Sequence, residues 1–202
     1  GDKILLPPSA LDKLARMNVQ YPMLFELKNA RHGKRTHCGV LEFSAEEGRC
    51  YIPFWMMQNL LLEEGGFIGV KNVSLKLAKF VKFRPQSVDF LEISNPRAVL
   101  ENTLRKYTCL TVGDQICIHY MERKYFLEVM EVDPDGAASI IETDCNVDFD
   151  EPVGYKEYEK KLKEEAASKK EQKQTHIPIP RNLQKAKAED ADAEAIDAKK
   201  VN

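Results

Sequence analysis

The residue types that do covalent chemistry are all present in this chain, but their spacing gathers few of them together. Five cysteines, Cys38, Cys50, Cys109, Cys117 and Cys145, stand at irregular intervals with no C-x-x-C, and the four histidines, His32, His37, His119 and His176, are equally scattered. A zinc site needs clustered thiolate or imidazole ligands, so no metal centre is expected. An odd number of unpatterned cysteines indicates free thiols and a reducing compartment, cytosol or nucleus. His37 and Cys38 come nearest to an activated nucleophile, yet adjacent side chains on a strand face opposite ways. A buried thiol acting as a small hydrophobe accounts for Cys38 better.

Carboxylates are plentiful, but the pairs Glu46–Glu47 and Glu63–Glu64 fall in polar turns, where solvation keeps acids ordinary. Asp148 and Asp150 flank Phe149 in "NVDFDEP", an i,i+2 pair that lacks the further oxygen ligands of a calcium loop. The phosphate-loop pattern is missing, because "HGKR" has neither the upstream glycine nor the hydroxyl residue. G-x-G-x-x-G, G-x-S-x-G and H-E-x-x-H are also missing. Barrel-fold proteases and self-processing decarboxylases would need Asp-[Ser/Thr]-Gly or Gly-Ser, and neither occurs. The expectation is a binding protein with no catalytic residue and no cofactor.

With 202 residues, 43% hydrophobic and 31% charged, the chain has enough apolar material for one good core and two subdomains. Composition changes near Tyr158, the last aromatic residue. Residues 156–202 hold 12 Lys+Arg and 10 Asp+Glu, which taken from the whole-chain 30 and 32 leaves 18 against 22, a net charge of −4 before residue 156. A mildly acidic globular part gives no general attraction for nucleic acid or anionic lipid. The lysines and Arg84 interleaved with apolar residues over 76–84 read as the solvated face of a strand rather than a nucleic-acid strip.

"YIPFWMMQNLLLEEGG" (51–66) concentrates the single tryptophan, two methionines and three leucines. Gln58 and Asn59 interrupt it and Glu63 and Glu64 end it, well short of the roughly 18 apolar residues of a membrane span. No membrane insertion is expected. Apolar around its whole circumference, the stretch predicts a buried helix, with a docking surface as the alternative.

Around it the pattern is mainly β. Lys3–Leu6 predicts a strand; "PPSALDKLARM" predicts a short helix with Leu11, Leu14 and Ala15 on its apolar face. Met23–Leu27 and Thr36–Phe43 predict a hairpin about "NARHGKR", and Phe67–Val70 and Val73–Phe83 continue as strands. Asn95 and Pro96 supply an N-cap and first residue for a helix to about Tyr107. Gln115–Tyr120, Tyr125–Val132 and Ala138–Glu142 then predict a meander through "MERK" and "DPDG" turns. This places a β-barrel-like unit at 1–90, a smaller α+β unit at 91–155 and a charged tail at 156–202. In the tail, Glu157–Lys161 and Glu159–Lys163 favour a solvated helix. "HIPIPRNL" offers Ile177, Ile179 and Leu183 as an extended docking segment.

Four long blocks, "PPSALDKLARMNVQYPMLFELKN", "THCGVLEFSAEEGRCYIPFWMMQNLLLEEGG", "FRPQSVDFLEISNPRAVLENTLRKYTCLTVGD" and "DCNVDFDEPVGYKE", closely resemble the amino-terminal domain of the ubiquitin fusion degradation protein 1 family. The resemblance covers roughly residues 1–157. It implies a double-psi β-barrel followed by a smaller α/β roll. It also implies a non-catalytic adaptor that binds ubiquitin and polyubiquitin. With a zinc-finger nuclear protein localisation partner, such an adaptor delivers clients to the valosin-containing AAA ATPase in the cytoplasm, nucleus and at the endoplasmic reticulum surface; an organelle-import variant is the alternative setting. No short motif fixes the ubiquitin contacts. The candidate strip is Val147 and Phe149 as apolar contacts with Asp148 and Asp150 as acidic ones, against which stands their ordinary use as core. The family's Phe- and Gly-containing ATPase-binding segment has no counterpart in residues 156–202, which contain no glycine.

Overall fold

The structure, a computed structural model, describes residues 1–174, and the side chains of residues 1–166. In chain order the elements are β1 (Lys3–Leu5), α1 (Pro8–Arg16), β2 (Leu24–Asn29), β3 (Lys34–Glu42), α2 (Phe54–Leu60), β4 (Gly69–Val73) and β5 (Phe80–Pro85). After a 3-10 turn at Val88–Glu92 come α3 (Pro96–Leu104), β6 (Cys109–Thr111), β7 (Gln115–Tyr120), β8 (Arg123–Asp133), β9 (Ala137–Ser139), β10 (Asn146–Phe149) and α4 (Tyr155–Gln174). This is the expected α+β fold.

Two four-stranded sheets carry the two cores. In the first, ordered β1-β3-β2-β4, the β2/β3 hairpin forms where the polar "NARHGKR" loop predicts it, and β1 adds parallel to β3. Its apolar face buries Ile4, Phe25, Leu27 and Cys38 against Leu14 of α1 and Met56 and Leu60 of α2. In the second, ordered β10-β5-β8-β7, the long strand β8 pairs on both sides, and Val81, Phe83, Ile116, Ile118 and Leu127 meet Leu100 of α3. Trp55 packs partly against both cores.

Local rules account for most of these elements. The Asn95 side chain accepts from the Ala98 amide at 3.2 Å, and Pro96 follows at the first helical position, so α3 starts as its sequence dictates. The β7/β8 hairpin closes on Met121 and Glu122, both left-handed at φ 45° and 63°, the geometry that matches strand twist. Among side chains described in the second compact unit, Lys156–Asn202, Glu159 and Lys163 form the expected i,i+4 pair at 2.7 Å.

Four expectations need correction. The run Val73–Phe83 is not one strand: β4 ends at Val73 and β5 begins at Phe80 in the other sheet. The meander stops at β8, since β9 is only Ala137–Ser139 and pairs with β6. Pairing with the shorter ladder satisfies the same backbone groups, a choice that hydrophobic pattern cannot read. On α1 only Leu14 is buried; Leu11 and Ala15 face outward. Finally, α2 is core on one face alone, with Met56 and Leu60 buried and Phe54 and Leu61 exposed.

Candidate functional site

The chemistry-bearing residues meet along a buried polar seam between strand β3, with the residue preceding β1, and the segment 108–114. Asp2 is fully buried, and its carboxylate accepts from the Thr108 amide (2.9 Å), the Thr108 hydroxyl (2.6 Å) and the Cys109 amide (3.1 Å). One turn of polar donors thus surrounds one anion, which is how a charge is tolerated in a core. At Gly39 on β3 an added Cβ would lie 2.7 Å from Thr108 Cγ2 and Oγ1, so the backbone there runs against the residue Asp2 holds.

Further along the seam, Thr36 donates to Asp114, and burial raises that carboxyl to a pKa of about 7, the Thr36 hydroxyl opposing the rise and the charge of Asp2 adding to it. His37 Nδ1 lies 2.9 Å from Thr111 Oγ1, and its Nε2 lies 3.8 Å from Glu26. A hydroxyl, an imidazole and a carboxylate in a row have the order of a nucleophilic triad. Here they serve structure: Thr111 and His37 are buried, and burial lowers the His37 pKa. Glu26 and His37 face each other across the β2/β3 hairpin, and sequence reasoning missed the row because Thr111 joins them only through the β3/β6 packing.

The thiols are equally quiet. Burial pushes Cys38, Cys50, Cys109, Cys117 and Cys145 above the ordinary range, opposite to the shift of a reactive cysteine. All five are free. Among the described residues no three His, Cys, Asp or Glu side chains come together as metal ligands, and no helix is long and apolar enough to cross a membrane.

The strip "NVDFDEP" is a sheet edge. Strand β10 pairs parallel with β5, Val147 opposite Val81 and Phe149 opposite Phe83. Val147 and Phe149 turn inward: the Phe149 ring lies 5.5 Å from Phe90 and 6.3 Å from Phe83. Asp148 is exposed and accepts from the Phe149 amide; Asp150 lies 3.8 Å from Lys82. The apolar half of the candidate site is thus engaged in the core, and the acidic half lines the rim. Val147 also borders a cleft of about 820 Å³ between α3 and residues 140–147, floored by Leu100, Leu104 and Ile140.

In the basic strip 76–84 three of the four cations pair with acids of the fold, while Lys79 is exposed. Lys76 pairs with Asp135 at 2.9 Å, Arg84 with Glu128 at 2.6 Å and Lys82 with Asp150, so these three cations are not free to track a phosphate backbone. Ile177, Ile179 and Leu183 lie outside the described residues.

Comparison with known proteins adds what the geometry does not state. Residues 1–76 match the family described as ubiquitin fusion degradation protein UFD1, N-terminal subdomain 1, and residues 77–152 match subdomain 2 of the same family. The chain is 60% identical over 171 residues to the human protein named ubiquitin recognition factor in ER-associated degradation protein 1, covering 85% of this chain and 56% of that protein. It is 59% identical over 157 residues to the Dictyostelium discoideum ubiquitin fusion degradation protein 1 homolog (78% of this chain, 48% of that protein). Against ubiquitin fusion degradation protein 1 of Saccharomyces cerevisiae the identity is 50% over 160 residues (78% and 44%). The chain thus spans about half the length of the relatives it matches.

Proposed function

Because this chain belongs to the ubiquitin fusion degradation protein UFD1 family, we propose that it recognises ubiquitin and ubiquitin chains in protein degradation at the endoplasmic reticulum, as a non-catalytic adaptor. The observation that carries this reading is the 60% identity to a protein named for ubiquitin recognition, running through both subdomains. The site chemistry agrees with it. The thiols are pushed up by burial, and Thr111 and His37 of the hydroxyl–imidazole–carboxylate row are buried. Such a molecule acts by presenting surface.

In the finer reading, the adaptor works in the cytoplasm and nucleus and at the outer face of the endoplasmic reticulum. A zinc-finger nuclear protein localisation partner stands beside it, and the valosin-containing AAA ATPase receives the client. The family resemblance supports these partners, and they are proposed for the whole relative. Each ubiquitin contact is expected to be weak and to strengthen with linked ubiquitins, since tethering makes later contacts intramolecular.

The experiment is a titration of the full chain, labelled with nitrogen-15, with ubiquitin and then with a linked tetramer at equal ubiquitin concentration. Amide shifts that saturate at lower ubiquitin concentration with the tetramer are expected. An unchanged spectrum with both would overturn the reading.

A further inference from the structure

The helix α2 is apolar on both faces, and the fold uses only one of them. Met56 and Leu60 enter the first core, fully buried. On a helix, residues 54, 57, 58 and 61 share the opposite face. There Phe54 is 72% exposed and Leu61, just past the last turn, 55% exposed, with half-buried Met57 between them. Phe54 and Leu61 are thus about 10 Å apart along one outward ridge.

The ridge continues into the following loop. Leu61 is held left-handed, at φ 53° and ψ 47°, a conformation that a bulky side chain occupies only when its surroundings impose it. The end of α2 imposes it, the Leu62 amide donating to the Met57 carbonyl at 2.9 Å as in a left-handed helix end, and from the end of β2 the buried Asn29 Nδ2 anchors it by donating to the Leu60 carbonyl at 2.9 Å and the Leu61 carbonyl at 3.3 Å. The chain then turns tightly, Gly66 N–H to the Glu63 carbonyl at 3.0 Å, and returns as β4 beside β2, with Gly69 opposite Lys28. Phe67, two residues before that pair, is 96% exposed. Asn29 therefore anchors the start of this loop, on which Leu61 and Phe67 are both exposed. Between them in sequence, Glu63 and Glu64 are exposed and make no ion pair among the described residues.

We infer that Phe54, Leu61 and Phe67, with the carboxylates of Glu63 and Glu64, form a ubiquitin-docking surface; this rests on the ubiquitin reading above. The charge pattern selects the occupant. An anionic bilayer would be repelled by two unpaired carboxylates. A second copy meeting this face about a two-fold axis would bring the same acids against their own images. An apolar face with a basic rim complements both parts of the surface, and ubiquitin's recognition face has that composition.

The test is the full chain titrated with ubiquitin at low and high salt, reading amide shifts and affinity. Shifts confined to residues around 54–70 are expected. Phe54→Ser with Phe67→Ser should weaken binding by about tenfold or more, as loss of aromatic anchors does. Glu63→Lys with Glu64→Lys should weaken it severalfold at low salt and less at high salt. These side chains are exposed, so the remaining amide spectrum should be unaltered, and Leu61→Asn, which tolerates the left-handed backbone, provides a third variant. If the wild type binds ubiquitin but these amides stay silent and the variants bind equally, the surface assignment is overturned while ubiquitin recognition stands. If the wild type binds no ubiquitin, both fall. Self-association abolished by the Phe54/Phe67 variant would give the face to a second copy and overturn the proposal.

Discussion

The Thr36 hydroxyl donates to the buried Asp114 carboxyl across 78 residues of chain, and it is there that the two halves of the fold share a titratable group. Burial raises the Asp114 pKa from the ordinary 3.8 to about 7. In the unfolded chain the acid ionises near its ordinary value, so between these limits the folded state binds the extra proton. Stability contributed by this group is therefore complete at low pH and is lost as pH rises through the window toward 7. Asp114→Asn keeps the oxygen that accepts from Thr36 and abolishes the titration. Urea denaturation at pH 5 and pH 8 should show wild-type stability falling by on the order of 2 kcal/mol more than that of the variant.

Asp2 predicts a larger effect. Asp2→Ala leaves the Thr108 amide, the Thr108 hydroxyl and the Cys109 amide without their acceptor in a buried place. A loss of about 2–4 kcal/mol is expected. Hydrogen exchange should show the Thr108 and Cys109 amides losing protection before those of β5 and β8.

Gly39→Ala tests the same seam from the other side. The new methyl would lie 2.7 Å from a threonine side chain that Asp2 prevents from moving away. Overpacking of this kind costs about 1–3 kcal/mol. Coupling with Asp2→Ala should be positive, because freeing Thr108 lets it give way; a double-mutant cycle measures it.

At the β10 edge, Phe149→Ala should cost about 1–3 kcal/mol through its contacts with Phe83 and Phe90. Asp148→Ala, at an exposed position, should change stability by less than about 0.5 kcal/mol and ubiquitin affinity by no more than roughly twofold. Calorimetric melts and the ubiquitin titration decide both, and a large affinity loss in a folded Asp148→Ala protein would move the docking surface to this edge.

Much of the architecture was legible where a local rule settles the outcome. Asn95-Pro96 starts α3, the "NARHGKR" loop closes the first hairpin, and alternation from Gln115 marks β7. What escaped was set by distant partners. Nothing near Ala137–Ser139 says that these residues will desert β8 for Cys109–Thr111. Nor does the circumference of α2 reveal that a single face would find the core, because burial depends on how many neighbours arrive. The seam was the least legible: Asp2, Thr36 and His37 are unremarkable polar residues until β3 lies against residues 108–114. The docking alternative for "YIPFWMMQNLLLEEGG" was visible in the sequence, but its exposed half could be separated from its buried half only in three dimensions.

The grip of Asp2 on Thr108 and Cys109 also orders events during synthesis. A ribosome delivers residue 2 long before residue 108, and until that later segment emerges the Asp2 carboxylate has no buried donors to receive it. The first sheet can collapse early around the local β2/β3 hairpin, but β1 cannot settle while its preceding anion must stay in water. Strand β1 is therefore expected to be among the last pieces to lock, leaving the nascent first sheet with an open edge on β3 that other chains could pair with.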